Sequence, residues 1–364
     1  MDTYRQIVRP ILFKLDPETA HSLAKSALRW KRPWSALGPG DAVAHPKLGL
    51  DLAGIKLENP VGLAAGFDKD SEMLAAFSSL GFGYTIPGSV RPKAAGDLPS
   101  PKLHRYPDRQ SMINSQGMPS KGAHYVSRRL EEFRRLDRTT RVITNITGWT
   151  IEEYLQALAA VEPRSDGIEI SLSCPNETYD ETVDFLTPTR FRSLVERLNE
   201  RRRKPLFVKI RNYNSDEEKD NRFELIQLCL QLGVDGVTLP GSHIAAEPRL
   251  APGRGNLSGK AVFGKTLQNV QDVYRATGGR LPIKALGGVF TARDAFEAIA
   301  AGASAVELLT GLVYEGWSVA QQINRGLLEL MSSHGIANVV ELRGRSTLEL
   351  ERAPTTRAAS AVAH

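Results

Sequence analysis

The chain has 364 residues, 41% hydrophobic and 24% charged, with 47 Lys and Arg against 41 Asp and Glu. That composition excludes a disordered, collagenous or coiled-coil protein, and two cysteines are too few for a disulfide framework or a four-thiolate zinc site. No stretch approaches the roughly 18 apolar residues of a spanning helix, and Asp2, Arg5, Arg9, Lys14, Asp16 and Glu18 interrupt any signal-peptide core, so neither a membrane span nor a cleaved signal is expected.

At the amino terminus Tyr4, Ile7, Val8, Ile11, Leu12 and Leu15 form one helical stripe, with Pro10 as a bend or boundary. A second helix is predicted with Asp16 as N-cap and Pro17 at its first position, ending before Pro33. Residues 1–34 carry seven Lys or Arg and three Asp or Glu, so this amphipathic arm holds four of the net +6 charges. Such a hairpin suits an anionic bilayer surface, but most amphipathic helices face a core, so packing on the domain that follows is the reading the residues alone favour. Residues 35–58, with Gly38, Pro39, Gly40 and Pro46, read as a linker with a short β-like segment at 48–57.

From Asn59 to about residue 344, short apolar or β-branched runs alternate with helical patterns. The runs are Val61–Ala65, Gly83–Ile86, Val142–Ile146, Ile168–Ser173, Leu206–Ile210, Gly236–Leu239, Pro282–Leu286 and Ala305–Leu309. Eight βα units predict an α/β fold, a (β/α)8 TIM barrel, whose chemistry belongs at the carboxyl ends of the strands. Those ends carry Lys69, Ser89, Asn145, Ser173 with Cys174, Lys209, Ser242, Gly287 with Gly288, and Thr310 with Gly311.

Leu286-Gly-Gly-Val289 and Leu309-Thr-Gly-Leu312 occupy the usual phosphate position of such barrels, although a Gly-Gly pair is also an ordinary tight turn. Lys209, inside the apolar run Leu206–Ile210, needs an anionic or electron-rich partner if it points into the mouth, and snorkels outward otherwise. Lys69 has the same two readings. Cys174, on a loop stiffened by Pro175, is either a buried structural thiol or a base at the barrel mouth, whereas Cys229 in a helical run reads as core.

Together these motifs resemble the dihydroorotate dehydrogenases, from Tyr4 to about Gly316. Ile11-Leu-Phe-Lys-Leu-Asp-Pro-Glu-Thr-Ala-His21 is similar to the helical arm of the class 2, membrane-associated, quinone-reducing branch, and Asn59-Pro-Val-Gly-Leu-Ala-Ala-Gly-Phe-Asp-Lys-Asp70 to its flavin-site motif. The resemblance implies FMN across the barrel mouth, touched from the first three strands by Ala65, Gly66, Lys69, Ser89 and Asn145. From the later strands it implies Lys209, Ser242, Gly259, Gly288, Thr310 and Gly311, with Gly287 in the same glycine pair. It further implies oxidation of dihydroorotate to orotate in pyrimidine biosynthesis: Cys174 takes the C5 proton, hydride leaves C6 for flavin N5, and Lys69, Asn114 and Asn176 hold the substrate. A quinone entering between the two arm helices reoxidises the flavin, at the cytoplasmic face of a membrane to which the enzyme is peripherally bound.

The chain departs from the class 2 pattern on the substrate side. Cys174 in Ser-Cys-Pro-Asn, and Asn114-Ser-Gln-Gly-Met-Pro119, resemble the soluble class 1 enzymes. Of four substrate-binding asparagines expected, the matched positions are Asn114, Ser171, Asn176 and Gly241, and each buried polar group left without its partner costs about 1–3 kcal/mol. The same flavin and quinone chemistry on another dihydropyrimidine or cyclic amide is the alternative. Nucleic-acid binding is not expected, because Arg201-Arg-Arg-Lys204 reads as a solvated helix end, and residues 345–364 read as a disordered tail.

Overall fold

Leu50–Leu52 (β1) and Ile55–Leu57 (β2) form an antiparallel hairpin whose buried-exposed-buried alternation turns one face to the core. In the computed structural model, which describes residues 3–30, 34, 44–136, 140–172, 185–213 and 215–345, this hairpin lies at the amino-terminal end of a closed parallel barrel. Ile55 approaches the first residue of the fourth barrel strand so closely that a Cβ on Gly167 would lie 2.9 Å from its Cδ1. Leu48, Leu50, Leu52, Ile55 and Leu57 all join the main hydrophobic core, so the segment expected as a linker in part plugs the barrel floor.

All eight expected strands form. In chain order they are Val61–Leu63 (β3), Tyr84–Thr85 (β4), Arg141–Ile146 (β7), Gly167–Ser171 (β8), Leu206–Lys209 (β9), Gly236–Pro240 (β10), Ile283–Leu286 (β13) and Ala305–Leu308 (β14). Each is parallel to its neighbours, and the circle closes between β14 and β3. Strands buried on both faces read as continuous apolar runs, which is why they were legible in the sequence. Helices follow with the expected spacing, among them Ile151–Val161, Pro188–Asn199, Asp216–Gln231 and Ala292–Ala300.

The structure adds a sheet that the sequence reading takes for barrel connections. Leu103–Tyr106 (β5) and Ser111–Asn114 (β6) leave the barrel between β4 and β7, and His243–Ala246 (β11) and Arg254–Gly259 (β12) leave it between β10 and β13. They pair antiparallel in the order β11-β12-β6-β5.

The arm folds as a helical hairpin. Tyr4–Val8 is a π-helical turn that runs into an α-helix at Arg9–Lys14 (α1), and Pro10 sits harmlessly in the first turn of α1. Asp16 caps the second helix, Pro17–Leu28 (α2), by accepting from the backbone N–H groups of Glu18 and Thr19 at 3.0 and 3.1 Å. The Tyr4 hydroxyl donates to the Val313 carbonyl at 2.6 Å, and Arg9 to that of Tyr314 at 2.9 Å. Arg105 of β5 donates to the Leu12 and Leu15 carbonyls and lies 4.5 Å over the Phe13 ring. Glu18 accepts from Ser100 and Lys102, and Arg29 pairs with Glu72. Packing on the barrel is therefore real, yet Ile7, Ile11, Leu23 and Trp30 stay 57%, 60%, 51% and 72% exposed. No described helix is long and apolar enough to cross a membrane.

Candidate active site

A cavity of about 670 Å³ opens among the carboxyl ends of the barrel strands, within the range of about 300–1,000 Å³ usual for small-molecule and cofactor sites. Three structural units wall it: the strand-end loops, the added sheet through Met112, Asn114, Asn256 and Ser258, and α2 through His21. A polar side pocket of about 380 Å³ shares His21, Lys69 and Gln116 with it.

After β3 the chain turns through Ala64-Ala-Gly-Phe-Asp-Lys69. Asp68 fixes this turn by accepting from the backbone N–H groups of Glu72 and Met73 at 2.8 and 2.9 Å. Burial raises its carboxyl to about 6 against the pull of those two bonds. The turn places Ala65, Gly66 and Lys69 on the cavity wall beside the end of β14, to which β3 is paired, and that of β13 next to it. There Gly287 and Gly288 have φ of 114° and 78°, a region open to glycine, and a Cβ on Gly288 would lie 2.5 Å from that of Phe263. Asp294 anchors the following segment by accepting from the N–H groups of Phe290 and Thr291, each at 2.9 Å. Thr310 and Gly311 open a short helix next to it, and the Thr310 and Ser258 hydroxyls meet at 3.0 Å.

Ser89, Ser171, Lys209, Ser242 and Gly259 also line the cavity, and Asn114 lines it from β6, where it pairs across the ladder with Asn256. Cys174 and Asn176 lie outside the described residues. Asn145 and Gly241 are close to the cavity without forming its wall. Asn145 is fully buried and meets the Ser171 hydroxyl at 2.9 Å. The side-chain direction of Gly241 points into the neighbouring helix: a Cβ there would lie 2.3 Å from Thr266 Oγ1 and 2.5 Å from the Val262 carbonyl oxygen. Position 241 therefore has no room for the asparagine side chain that the resemblance expects there.

Below the cavity the barrel interior is charged. Lys284 of β13 is fully buried between Glu169 of β8, at 2.7 Å, and Glu307 of β14, at 3.0 Å, with its ammonium 4.7 Å from the Phe207 ring centroid. Burial alone would raise Glu169, but Lys284 and Lys209 outweigh it and hold the carboxyl ionised; burial dominates at Glu307 and raises it. Lys209 lines the cavity above them, the inward of the two orientations left open by the sequence. The layer escaped the sequence reading although a signal existed: Ile168-Glu-Ile170, Ile283-Lys-Ala285 and Val306-Glu-Leu308 each put one ionisable residue inside a barrel strand. His21 was read only as part of the arm. Burial, with Lys25 and Lys69 nearby, pushes its imidazole down to about 4, so it is neutral at neutral pH, and its ring stands edge-on to Phe67 at 5.4 Å.

The sequence matches the profile of the family described as dihydroorotate dehydrogenase over residues 47–331. The chain belongs to the dihydroorotate dehydrogenase family. Two curated relatives named dihydroorotate dehydrogenase (quinone) cover nearly the whole molecule. That of Roseiflexus castenholzii is 32% identical over 93% of this chain and 95% of its own, and that of Deinococcus deserti 33% over 94% and 99%. A crystal structure of DHODH from Eimeria tenella in complex with ferulenol superposes with a TM-score of 0.81 at 28% identity, covering 94% of this chain and 99% of that one. The quinone-linked branch expected from the arm and the flavin motif is thus the branch whose members this chain resembles, despite its Cys174.

Proposed function

We propose that this protein oxidises dihydroorotate to orotate, with FMN as its bound flavin and a quinone as electron acceptor. The observation that carries the reading is the composition of one cavity: positive-φ glycines and lysines from the barrel strand ends share it with His21 from the amphipathic arm. A phosphorylated flavin fits such a wall. Side chains are sterically barred at Gly288, and at Gly311, where a Cβ would lie 2.5 Å from the Val289 carbonyl oxygen, so ligand atoms can come close to the backbone there. Bound FMN supplies a two-electron acceptor for the hydride that leaves C6 of the substrate.

The chain's own residues do the rest. Gly287, Gly288, Thr310 and Gly311 hold the phosphate, and Ala65, Gly66, Ser89, Ser242 and Gly259 shape the space for the ring, with Asn145 buttressing it from behind. Lys209 places a positive charge at the cavity floor, where it stabilises negative charge on the flavin. Lys69, Asn114 and Asn176 hold the substrate, and the Cys174 thiolate takes the C5 proton. The basic arm with its exposed Ile7, Ile11, Leu23 and Trp30 rests on an anionic membrane at the cytoplasmic face, and the quinone reaches the cavity past α1 and α2. A different cyclic amide as substrate is not favoured, since the relatives described above are named for dihydroorotate.

Anaerobic flavin absorbance of the purified protein tests this. Dihydroorotate should bleach the flavin, a soluble quinone analogue should restore it, and Cys174→Ala should slow bleaching by at least about 100-fold. A flavin that stays oxidised at saturating dihydroorotate overturns the proposal.

A further inference from the structure

Beneath the cavity floor lies a hydrogen-bond relay centred on Glu169, a residue to which none of the roles above is given. Glu169, fully buried, accepts from Asn145 Nδ2 at 2.6 Å, from Lys284 Nζ at 2.7 Å and from the Thr238 hydroxyl. An ionised carboxylate can only accept, so it permits one orientation of the Asn145 amide, with the NH2 group toward Glu169 and Oδ1 turned away. The same Nδ2 also reaches Ser171 Oγ at 2.9 Å and occupies one of the two acceptor positions of that hydroxyl. The Ser171 hydrogen is thereby left to donate, and its acceptor among the described residues is Asn145 Oδ1, at a longer 3.2 Å.

We infer that Glu169 is a positioning residue that acts through Asn145 to set Ser171, on the cavity wall, as a hydrogen-bond donor to a carbonyl or carboxylate oxygen of the ring substrate. The ladder partner of Ser171 is Lys209, whose ammonium only donates, so this stretch of wall suits an acceptor. The relay also accounts for a serine where the family resemblance expects an asparagine. An asparagine brings its own NH2 donor, whereas a serine has a single hydrogen whose direction must be fixed from behind. Lys284 and Glu307 complete the support: Lys284 keeps Glu169 ionised, and the Tyr84 hydroxyl donates to Glu307 Oε1 at 3.4 Å on the far side.

The inference rests on the reading of the cavity as a dihydroorotate site, and it is tested on the holoenzyme. Glu169→Gln preserves shape but can donate, which lets the Asn145 amide flip. The dihydroorotate KM and the orotate Kd, the latter read from the perturbation of flavin absorbance, should rise about tenfold, and by a larger factor than the FMN Kd. In a Ser171→Ala background the same change should raise neither constant more than about twofold, because the path to the ligand is already cut. A purely structural defect would persist there. An unchanged orotate Kd in Glu169→Gln, a loss that is undiminished in the Ser171→Ala background, or a loss confined to FMN overturns the inference. Should Glu169→Gln fail to fold with Lys284 held by Glu307 alone, Glu169→Gln/Lys284→Met/Glu307→Gln removes the buried ionisable groups together, and the same comparisons decide. Wild-type protein that is neither reduced by dihydroorotate nor perturbed by orotate overturns the proposed function itself, and that result is read before any variant is made.

Discussion

At the scale of single residues, two glycines separate what a backbone requires from what a ligand requires. Gly288 has φ of 78° and a Cβ there would lie 2.6 Å from the Phe263 Cα, so Gly288→Ala must shift backbone at the expected phosphate site. Gly233 has φ of 66° with nothing within 4 Å of the added carbon, so Gly233→Ala costs only the left-handed conformation, about 1 kcal/mol. Both variants should unfold earlier in urea, Gly288→Ala by the larger margin, and only Gly288→Ala should lose FMN affinity, by at least about tenfold in a fluorescence titration. Gly241 carries the opposite lesson. Matching by position suggests that an asparagine there would improve substrate binding, but the collision with Thr266 and the Val262 carbonyl predicts otherwise. Gly241→Asn should destabilise by roughly 1–3 kcal/mol and leave the dihydroorotate KM no lower, measured by denaturation and steady-state kinetics on one preparation.

At the scale of elements, the arm is clamped to the barrel through Glu72. Its carboxylate receives Arg29 of the arm, Lys121 at 2.5 Å and the Tyr125 hydroxyl at 2.7 Å. Burial would raise Glu72, but these partners outweigh it and bring the carboxyl from 4.5 down to about 2. Between those values the unfolded chain binds a proton that the folded chain does not, so the clamp is fully effective above pH 4.5 and is lost as pH falls toward 2. Hydrogen exchange in Pro17–Leu28 should accelerate over that window, and Glu72→Gln should remove the dependence and leave the arm loosened at every pH. The barrel strands and the arm were legible because their patterns repeat with one period over their whole length: apolar runs for strands buried on both faces, a 3.6-residue stripe for the helices. The mouth sheet was not, because β5 is Leu103-His-Arg-Tyr106 and β12 is Arg254-Gly-Asn-Leu-Ser-Gly259, each mostly polar and defined by a partner distant in sequence. For the same reason Asn256 and Ser258 were missed although Asn114, beside them in space, was found. Ser171 was singled out from its position in a motif, while Glu169, two residues earlier on the same face of β8, needed the register of the closed barrel to acquire partners.

At the scale of the whole molecule, the proposed function gives the arm to the membrane and the chemistry to the barrel, and the two should separate experimentally. Ile7 and Ile11 project from the π-helical turn and α1 with more than half their surface exposed. Replacing both by Asp should lower affinity for anionic phospholipid vesicles at least about tenfold, since losing even about 1 kcal/mol of apolar burial at each site exceeds one decade. Bleaching by dihydroorotate should proceed at the wild-type rate in the same variant, as neither side chain lines the cavity. Slowed bleaching would show that the arm's outer face reaches the chemistry.

The contact of Tyr4 with Val313 spans 309 positions of the chain. On a ribosome adding about 5–20 residues per second, those residues take roughly 15–60 s to appear. Throughout that interval the first turns of the arm exist without the Val313 and Tyr314 carbonyls on which they later rest, although α2 already finds Glu72, Ser100 and Lys102. The barrel then closes last around its eighth strand and brings the docking surface with it. On the proposed function, attachment of these first turns to a bilayer can thus precede the finished catalyst, and the order of synthesis then favours delivery of the enzyme to a quinone before any substrate is consumed.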